Sequence, residues 1–373
     1  MVMKVLVLSE GNSSHTQRWC ESLAKSEVEV LLFTLRIART DWFEGRKVSV
    51  FSAGLDVQGS ARLWRKARYL CAVVKIWQAI KTFKPDIVHA HYASSYGLLG
   101  ALAGFHPYIV SVWGSDVYEF PRANWLARQV IRFVFRRADS LLSTSHVMAR
   151  EAARYTDKHF AITPFGVDLQ RFSRVPGVEY DPNLIGTVKT LRPKYGIDVL
   201  IRAFALCVER NPARPLRLYI AGTGWQRGDL EQLAQELGVG DRVEFAGFID
   251  NAKLPELYSR FLVSAFPSVE DSESFGVVAV EAGACECPVV TSDADGFTET
   301  VVNGETGLIV PKRDVEKTAG AIQYFLDHPE ERERMGRAGR RRAGELYDWK
   351  ENVGRMVSIY EKILRESGNR GEN

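Results

Sequence analysis

Nowhere in the 373 residues does an apolar run reach the roughly 18 to 20 needed to cross a bilayer, and the best candidate, 69–80, is broken by Lys75. Cysteine is scarce and odd in number: Cys20, Cys71, Cys207, Cys285 and Cys287. The one close pair is Cys-x-Cys, so neither a disulfide framework nor a zinc site is expected, and a reducing cytoplasm fits best. The opening residues 1–9 hold an apolar stretch too short for a signal peptide, with no small-residue cleavage site, and read as a first buried strand. There is no low-complexity tract and no tandem repeat. What is present is globular: 46% hydrophobic and 25% charged residues, enough chain for two domains rather than one. The net charge of +3 conceals an asymmetry. Residues 1–170 carry 22 Lys/Arg against 14 Asp/Glu, a net +8, and the remainder 27 against 32, a net −5. The basic half is the one expected to meet an anionic surface, with no motif that reads nucleic acid.

Short Val/Ile/Leu runs alternate with helical patterns, the signature of parallel sheets covered by helices. Strands are expected at 4–8, 28–33, 87–90, 108–112, 140–144 and 159–162, and again at 184–188, 217–221, 243–246, 261–266, 288–291 and 307–310. Two series predict an α/β protein of two Rossmann-like, doubly wound parallel-sheet domains, 1–165 and 166–350. The Gly- and Pro-bearing stretch 165–183 joins them, and 351–373 is a helix expected to pack back toward the first domain, followed by a tail. Open α/β sheets take ligands at the carboxyl ends of their strands, so a central cleft between two facing sheets is where chemistry is expected.

The most informative segment is 267–282, PSVEDSESFGVVAVEA. Glu273 precedes a helix opened by Gly276, whose first amides offer an anion site, and Glu281 lies within that helix. Glu273-x7-Glu281, the run 281–290, Phe165-Gly-Val-Asp168, Gly186-Thr-Val-Lys189 with Lys194-Tyr-Gly196, Ala221-Gly-Thr-Gly224, Phe245-Ala-Gly247, Asp295-Gly-Phe-Thr-Glu299 and Gly304-Glu-Thr-Gly307 stand in the order found in glycosyltransferase family 4. The chain resembles that family over nearly its whole length, most tightly from 160 to 315.

The resemblance implies a GT-B fold and a retaining, nucleotide-sugar-dependent hexosyltransferase acting in polysaccharide or glycolipid synthesis. The nucleotide-sugar is a substrate, UDP-sugar expected ahead of GDP-sugar, and no cofactor or metal is expected. In the family the first Glu contacts sugar hydroxyls and the second the ribose, roles that pass to Glu273 and Glu281. Lys189 and Lys194 resemble the basic pair on the diphosphate. Amides of Phe275, Gly276 and Val277, the base-side backbone at Gly247 and Phe248, and the first loop at Gly11 and Asn12 complete the donor set. The acceptor set is His15, Arg18, His91 and Trp113. A glycan or lipid-linked acceptor is expected, with the protein cytoplasmic and peripheral on the inner membrane face. Other GT-B chemistry, such as an epimerase or phosphorylase, and a non-catalytic nucleotide-sugar binder are the alternatives.

Departures from the family pattern are informative. Trp113 stands where the family often has His before Gly114, and an indole cannot accept a proton. That role falls to Asp116, to the His89/His91 pair or to no residue, with Asp116 favoured because it keeps the family's position. His89 and His91 are read as alternating across a strand end, so that only one faces the cleft. Asp293-Ala-Asp295 spells a metal motif of another fold but is read as a turn, as is Gly222-Thr-Gly224. Glu286 occupies a position where Gly is common. Helical patterns at 61–84, with Leu63, Ala67, Leu70, Val74 and Trp77 as an apolar seam, and at 123–137, with Arg128, Arg132 and Arg136 four apart, form the basic faces expected to meet a membrane.

Overall fold

The computed structural model describes residues 2–36, 42–55 and 63–370, with side chains described throughout except at 63–70, 369 and 370. It divides into two compact units, Met1–Pro164 with Lys350–Asn373, and Phe165–Trp349.

The first unit is built on a seven-stranded sheet of β1 (Lys4–Leu8), β2 (Glu29–Thr34), β3 (Val48–Ser52), β4 (Ile87–His91), β5 (Tyr108–Val112), β6 (Ser140–Ser143) and β7 (Phe160–Ile162), in the order β3-β2-β1-β4-β5-β6-β7. Every pairing is parallel. Strands β4 and β5 are buried at every residue, which is why they read as continuous apolar runs rather than alternating ones. Edge strand β3 escapes the sequence reading because its inner residue Val48 is followed by half-exposed and exposed positions. The returning helix Trp349–Arg370 contributes from Lys350 onward to this unit.

The second unit holds β8 (Leu184–Val188), β9 (Arg217–Ala221), β10 (Val243–Gly247), β11 (Val263–Phe266), β12 (Val289–Ser292) and β13 (Gly307–Val310), parallel in the order β10-β9-β8-β11-β12-β13. In both sheets the strand order reverses beside the first strand of the unit, between β1 and β4 and between β8 and β11. Those are the switch points where doubly wound sheets leave a crevice for ligands.

One expected helix face needs correction. Over 71–83 of the helix Leu63–Phe83 the buried residues are Ala72, Val73, Ile76 and Ala79, whereas Val74 and Trp77 are about half exposed. Over that stretch the buried face is offset from the one expected, and the indole of Trp77 donates to the Ala103 carbonyl at the surface. The side chains of Leu63, Trp64, Arg65, Lys66, Ala67, Arg68 and Leu70, and Arg62 entirely, lie outside the described residues. In the helix Trp125–Arg137, Ala127, Ile131, Val134 and Phe135 face the core while Arg128, Arg132 and Arg136 face outward.

Candidate functional site

In the second unit the carboxyl ends of β8, β9 and β11 gather the residues that the resemblance assigns to the donor. Lys189 follows β8 directly, and its position is set by the loop after β9. Gly222 has φ of +147°, and a Cβ there would fall 1.9 Å from the Lys189 carbonyl oxygen. The Gly222-Thr-Gly224 turn is therefore a point of close backbone approach: Lys189 N donates to Ala221 O at 2.9 Å and Leu191 N to Thr223 O at 3.0 Å. Only glycine admits this contact. Lys194 sits half-buried in the following turn, its ammonium 5.1 Å from the Tyr195 ring, and its carbonyl accepts from Val269 N at 2.8 Å, tying it to the Glu273 loop.

Glu273 lies in that loop, 9% exposed. Its Oε2 is 2.6 Å from Lys189 Nζ and accepts from Ser268 Oγ at 3.2 Å. The lysine is flanked by Tyr195, with Nζ 4.6 Å from the ring centroid. The two residues that the resemblance places on sugar and diphosphate are thus a buried ion pair. The loop is locked from behind by Gly296 N, which donates to Glu273 O at 2.8 Å. Gly276 takes φ of +75° and turns the chain into the helix Val277–Ala284; a Cβ there would sit 2.5 Å from the Phe297 ring. The Phe275 side chain is buried against Phe165 and Tyr347, with centroids 6.0 and 5.4 Å away, so only its backbone is offered to a ligand. Val277 is half-buried, and Glu281 on the same helix accepts a long hydrogen bond from the buried Tyr258 hydroxyl at 3.3 Å. Gly247 ends β10 with its carbonyl accepting from Gly222 N at 2.7 Å, and Phe248 beyond it is 78% exposed.

Sequence reasoning missed Lys312. Its Nζ lies 2.7 Å from Asp271 Oδ1 and 3.7 Å from Asp293 Oδ1, while its backbone N donates to Asp293 Oδ1 at 2.8 Å. Asp293 is thereby committed to holding a loop, and among the described residues no cluster of three His, Cys, Asp or Glu could hold a metal. Glu286 adopts φ of +57°, the left-handed backbone that accounts for a glycine being usual there. Cys285 and Cys287 are buried packing residues, and burial raises both thiols.

In the first unit the acceptor candidates gather where β1, β4 and β5 end. Gly11 N donates to Thr34 Oγ1 at 3.1 Å, Asn12 is exposed, and His15 and Arg18 are half-buried on the helix Ser14–Lys25. Asp116 is fully buried and accepts from the amides of Ala93 at 2.8 Å, Gly114 at 2.7 Å and Trp113 at 3.1 Å. Burial raises its carboxyl to about 6 against the lowering effect of those amides. These contacts make Asp116 the clasp of the Trp113–Gly114 turn rather than a group open to a substrate proton.

The two histidines do not alternate. Residues two apart on a strand point the same way, and the rings of His89 and His91 lie 4.6 Å apart at 88°. His89 Nδ1 meets Tyr360 Oη at 2.7 Å and Nε2 meets Ser111 Oγ at 2.8 Å. His91 packs on Trp113, centroids 4.5 Å apart and planes inclined 31°. Burial lowers both imidazoles, His91 to about 3 and His89 well below the usual range, where the neighbouring His91 adds to the effect.

Residues 4–145 match the family model described as glycosyl transferase 4-like, and residues 170–342 the model described as glycosyl transferases group 1. A D-inositol 3-phosphate glycosyltransferase of Kribbella flavida is 31% identical over 281 residues, 68% of this chain and 66% of that protein. A glycogen synthase of Mycobacterium tuberculosis is 30% identical over 295 residues, 75% of this chain and 69% of that protein. The chain spans about half to two thirds of the length of the inositol-phosphate enzymes it matches, from 47% to 66%. In fold it is similar to sucrose-phosphate synthase from Thermosynechococcus elongatus, with a TM-score of 0.82 at 23% identity over 98% of this chain and 100% of that one. Anabaena HepE in complex with UDP gives 0.80 at 20% identity over 96% and 100%.

Proposed function

The chain belongs to the group 1, family 4-like glycosyltransferases of GT-B fold, and from that premise we propose that it is a retaining hexosyltransferase using a nucleoside-diphosphate sugar. The observation that carries this reading is the buried pair of Lys189 and Glu273 at the carboxyl end of the second sheet. A diphosphate needs a cation, and a sugar leaving as an oxocarbenium-like species needs an adjacent carboxylate; here both are held together on rigid, glycine-locked loops. Lys189 and Lys194 take the diphosphate, Glu273 the sugar hydroxyls, Glu281 the ribose, and the backbone at Gly247 and Phe248 the base. Amides at Phe275, Gly276 and Val277, with Gly11 and Asn12, complete the donor contacts. The first unit takes the acceptor through His15, Arg18, His91 and Trp113.

In the first unit the favoured carboxylate, Asp116, is engaged with backbone amides and does not stand ready as a nucleophile. We therefore favour a front-face reaction. The acceptor oxygen bonds to the anomeric carbon on the face from which the diphosphate leaves, and its proton passes to the departing phosphate oxygen. The protein contributes positioning and charge. A UDP-sugar is the expected donor and no metal takes part.

A lipid-linked or glycan acceptor at an anionic membrane surface is favoured by the helix Trp125–Arg137. Trp125 and Leu126 are 71% and 65% exposed beside the outward Arg128, Arg132 and Arg136. Each basic residue near such a surface contributes about 1 kcal/mol. Salt-sensitive sedimentation with anionic but not neutral vesicles, weakened by charge reversal at the three arginines, is the expected result; equal sedimentation with both removes the membrane acceptor.

The activity itself is tested by thermal-shift titration with UDP, GDP, ADP and their hexose conjugates, followed by product analysis with labelled donor. A nucleotide at about 100 times its dissociation constant adds about 2.7 kcal/mol of stability. Stabilisation by a nucleotide-sugar with transfer of label to an acceptor supports the reading; no shift with any nucleotide rejects it.

A further inference from the structure

A chain of side chains in the first unit runs from the returning helix to the acceptor candidates His91 and Trp113. It begins with Tyr360 on the returning helix, wholly buried, whose hydroxyl meets His89 Nδ1 at 2.7 Å. The other nitrogen of His89 is held by Ser111 at 2.8 Å, so the imidazole is fixed at both ends. Its ring stands nearly perpendicular to His91, 4.6 Å away. His91 is different in kind. It is 2% exposed, and its Nδ1 is sealed with no hydrogen-bond partner among the described residues. A buried polar atom left without a partner is costly, so His91 is not kept for hydrogen bonding by this atom. What the ring does is pack against Trp113 in a tilted arrangement, 4.5 Å away at 31°.

Trp113 is half-buried, with the His91 ring tilted against it and the His15 ring 6.2 Å away in an edge-on arrangement at 74°. Its backbone is fixed independently by Asp116, which accepts from its amide. The indole stands where β1, β4 and β5 end, the position at which a parallel sheet receives its ligand. A flat aromatic face with polar edges fits the apolar C–H face of a sugar ring, whose hydroxyls then point to the rim.

We propose that Trp113 is a stacking platform for one sugar ring of the acceptor, and that Tyr360 is a positioning residue that sets the indole through His89 and His91. The proposal rests on the reading that the first unit takes the acceptor. It gives the His91 ring, whose Nδ1 has no hydrogen-bond partner among the described residues, a part in packing against the indole. It also gives the returning helix a function beyond packing.

The test compares Tyr360→Phe, His91→Phe, His91→Ala and Trp113→Phe in the full-length protein. Subtracting the near-ultraviolet circular dichroism of Trp113→Phe from that of wild type isolates the Trp113 band. Tyr360→Phe and His91→Ala are expected to lose at least about half of that band, and His91→Phe, which keeps a flat ring, to retain it. With UDP-glucose as donor and octyl β-D-glucoside as acceptor probe, Tyr360→Phe raises the acceptor KM about tenfold with the donor KM unchanged. His91→Ala loses more acceptor affinity than His91→Phe. A Trp113 band unchanged in Tyr360→Phe and His91→Ala overturns the positioning claim, and so does an equal rise in donor and acceptor KM. A wild type that moves no sugar contradicts the functional reading instead, while the dichroism still decides the positioning.

Discussion

Replacing Glu273 by Gln keeps the side-chain size and removes the charge that Lys189 faces. The pair is 2.6 Å apart and its side chains are 11% and 10% exposed, so neither charge is well solvated. Breaking a buried pair from one side costs about 3 to 5 kcal/mol, because the remaining charge is stranded. The Glu273→Gln protein without ligand is therefore expected to lose about 3 kcal/mol of stability in urea unfolding. Adding Lys189→Met should restore most of that loss, since the double variant buries no unpaired charge. A nucleoside diphosphate supplies Lys189 with a new counter-charge. If binding recovers about one third of the loss, UDP affinity in Glu273→Gln rises about fivefold, each 1.4 kcal/mol being a factor of about ten. Turnover, by contrast, falls about 100- to 1000-fold, the scale of one lost transition-state contact. Urea titration with and without UDP, calorimetry and initial rates read the four quantities. Additive losses in the double variant, or weaker UDP binding in Glu273→Gln, would refute the reasoning that Glu273 and the diphosphate compete for the Lys189 charge.

Glu281→Ala should weaken UDP binding by about 1.5 to 3 kcal/mol, the worth of a charged hydrogen-bond acceptor, with calorimetry as the readout. Excess EDTA should leave the rate intact, because Asp293 is occupied by Lys312; activity lost to chelator and restored by Mg2+ or Mn2+ would contradict this. The buried His91, lowered from 6.5 to about 3, contributes stability that is present above about pH 6.5 and lost as pH falls toward about 3. Between about pH 7.5 and pH 5 the His91→Phe variant should lose about 2 kcal/mol less stability than wild type, at about 1.4 kcal/mol per pH unit below 6.5. The comparison must be made against wild type because Asp116, raised to about 6, acts in the opposite direction over part of that window. Equal losses in the two proteins would show that His91 does not titrate as its burial implies.

The sheets were legible because buried parallel strands are short apolar runs, and edge strand β3 was not because only its first residue is buried. The loop proposed for the donor is legible because Glu273, Gly276 and Glu281 lie within nine residues of one another. The ion pair of Lys189 with Glu273 was not, since it joins loops 84 residues apart through a backbone approach that only Gly222 permits. The same holds for Lys312 with Asp271, and most of all for Tyr360 with His89, 271 residues apart. Local spacing shows which residue types a loop carries; which loops meet depends on strand order. Asp116 was favoured on position alone, and only its hydrogen bonds reveal that its oxygens are taken by the Trp113 turn. The histidine pair was misjudged by treating residues two apart as opposite faces of a strand.

The central claim, a retaining transfer from a nucleoside-diphosphate sugar, is tested most directly by the stereochemistry of the bond formed. With UDP-glucose labelled at the anomeric carbon, the product's C1–H1 coupling in NMR distinguishes α from β. A retaining enzyme gives an α-linked product from the α-linked donor, with UDP released in equal amount. A β-linked product, or UDP-glucose consumed without any new glycosidic bond, would contradict the account.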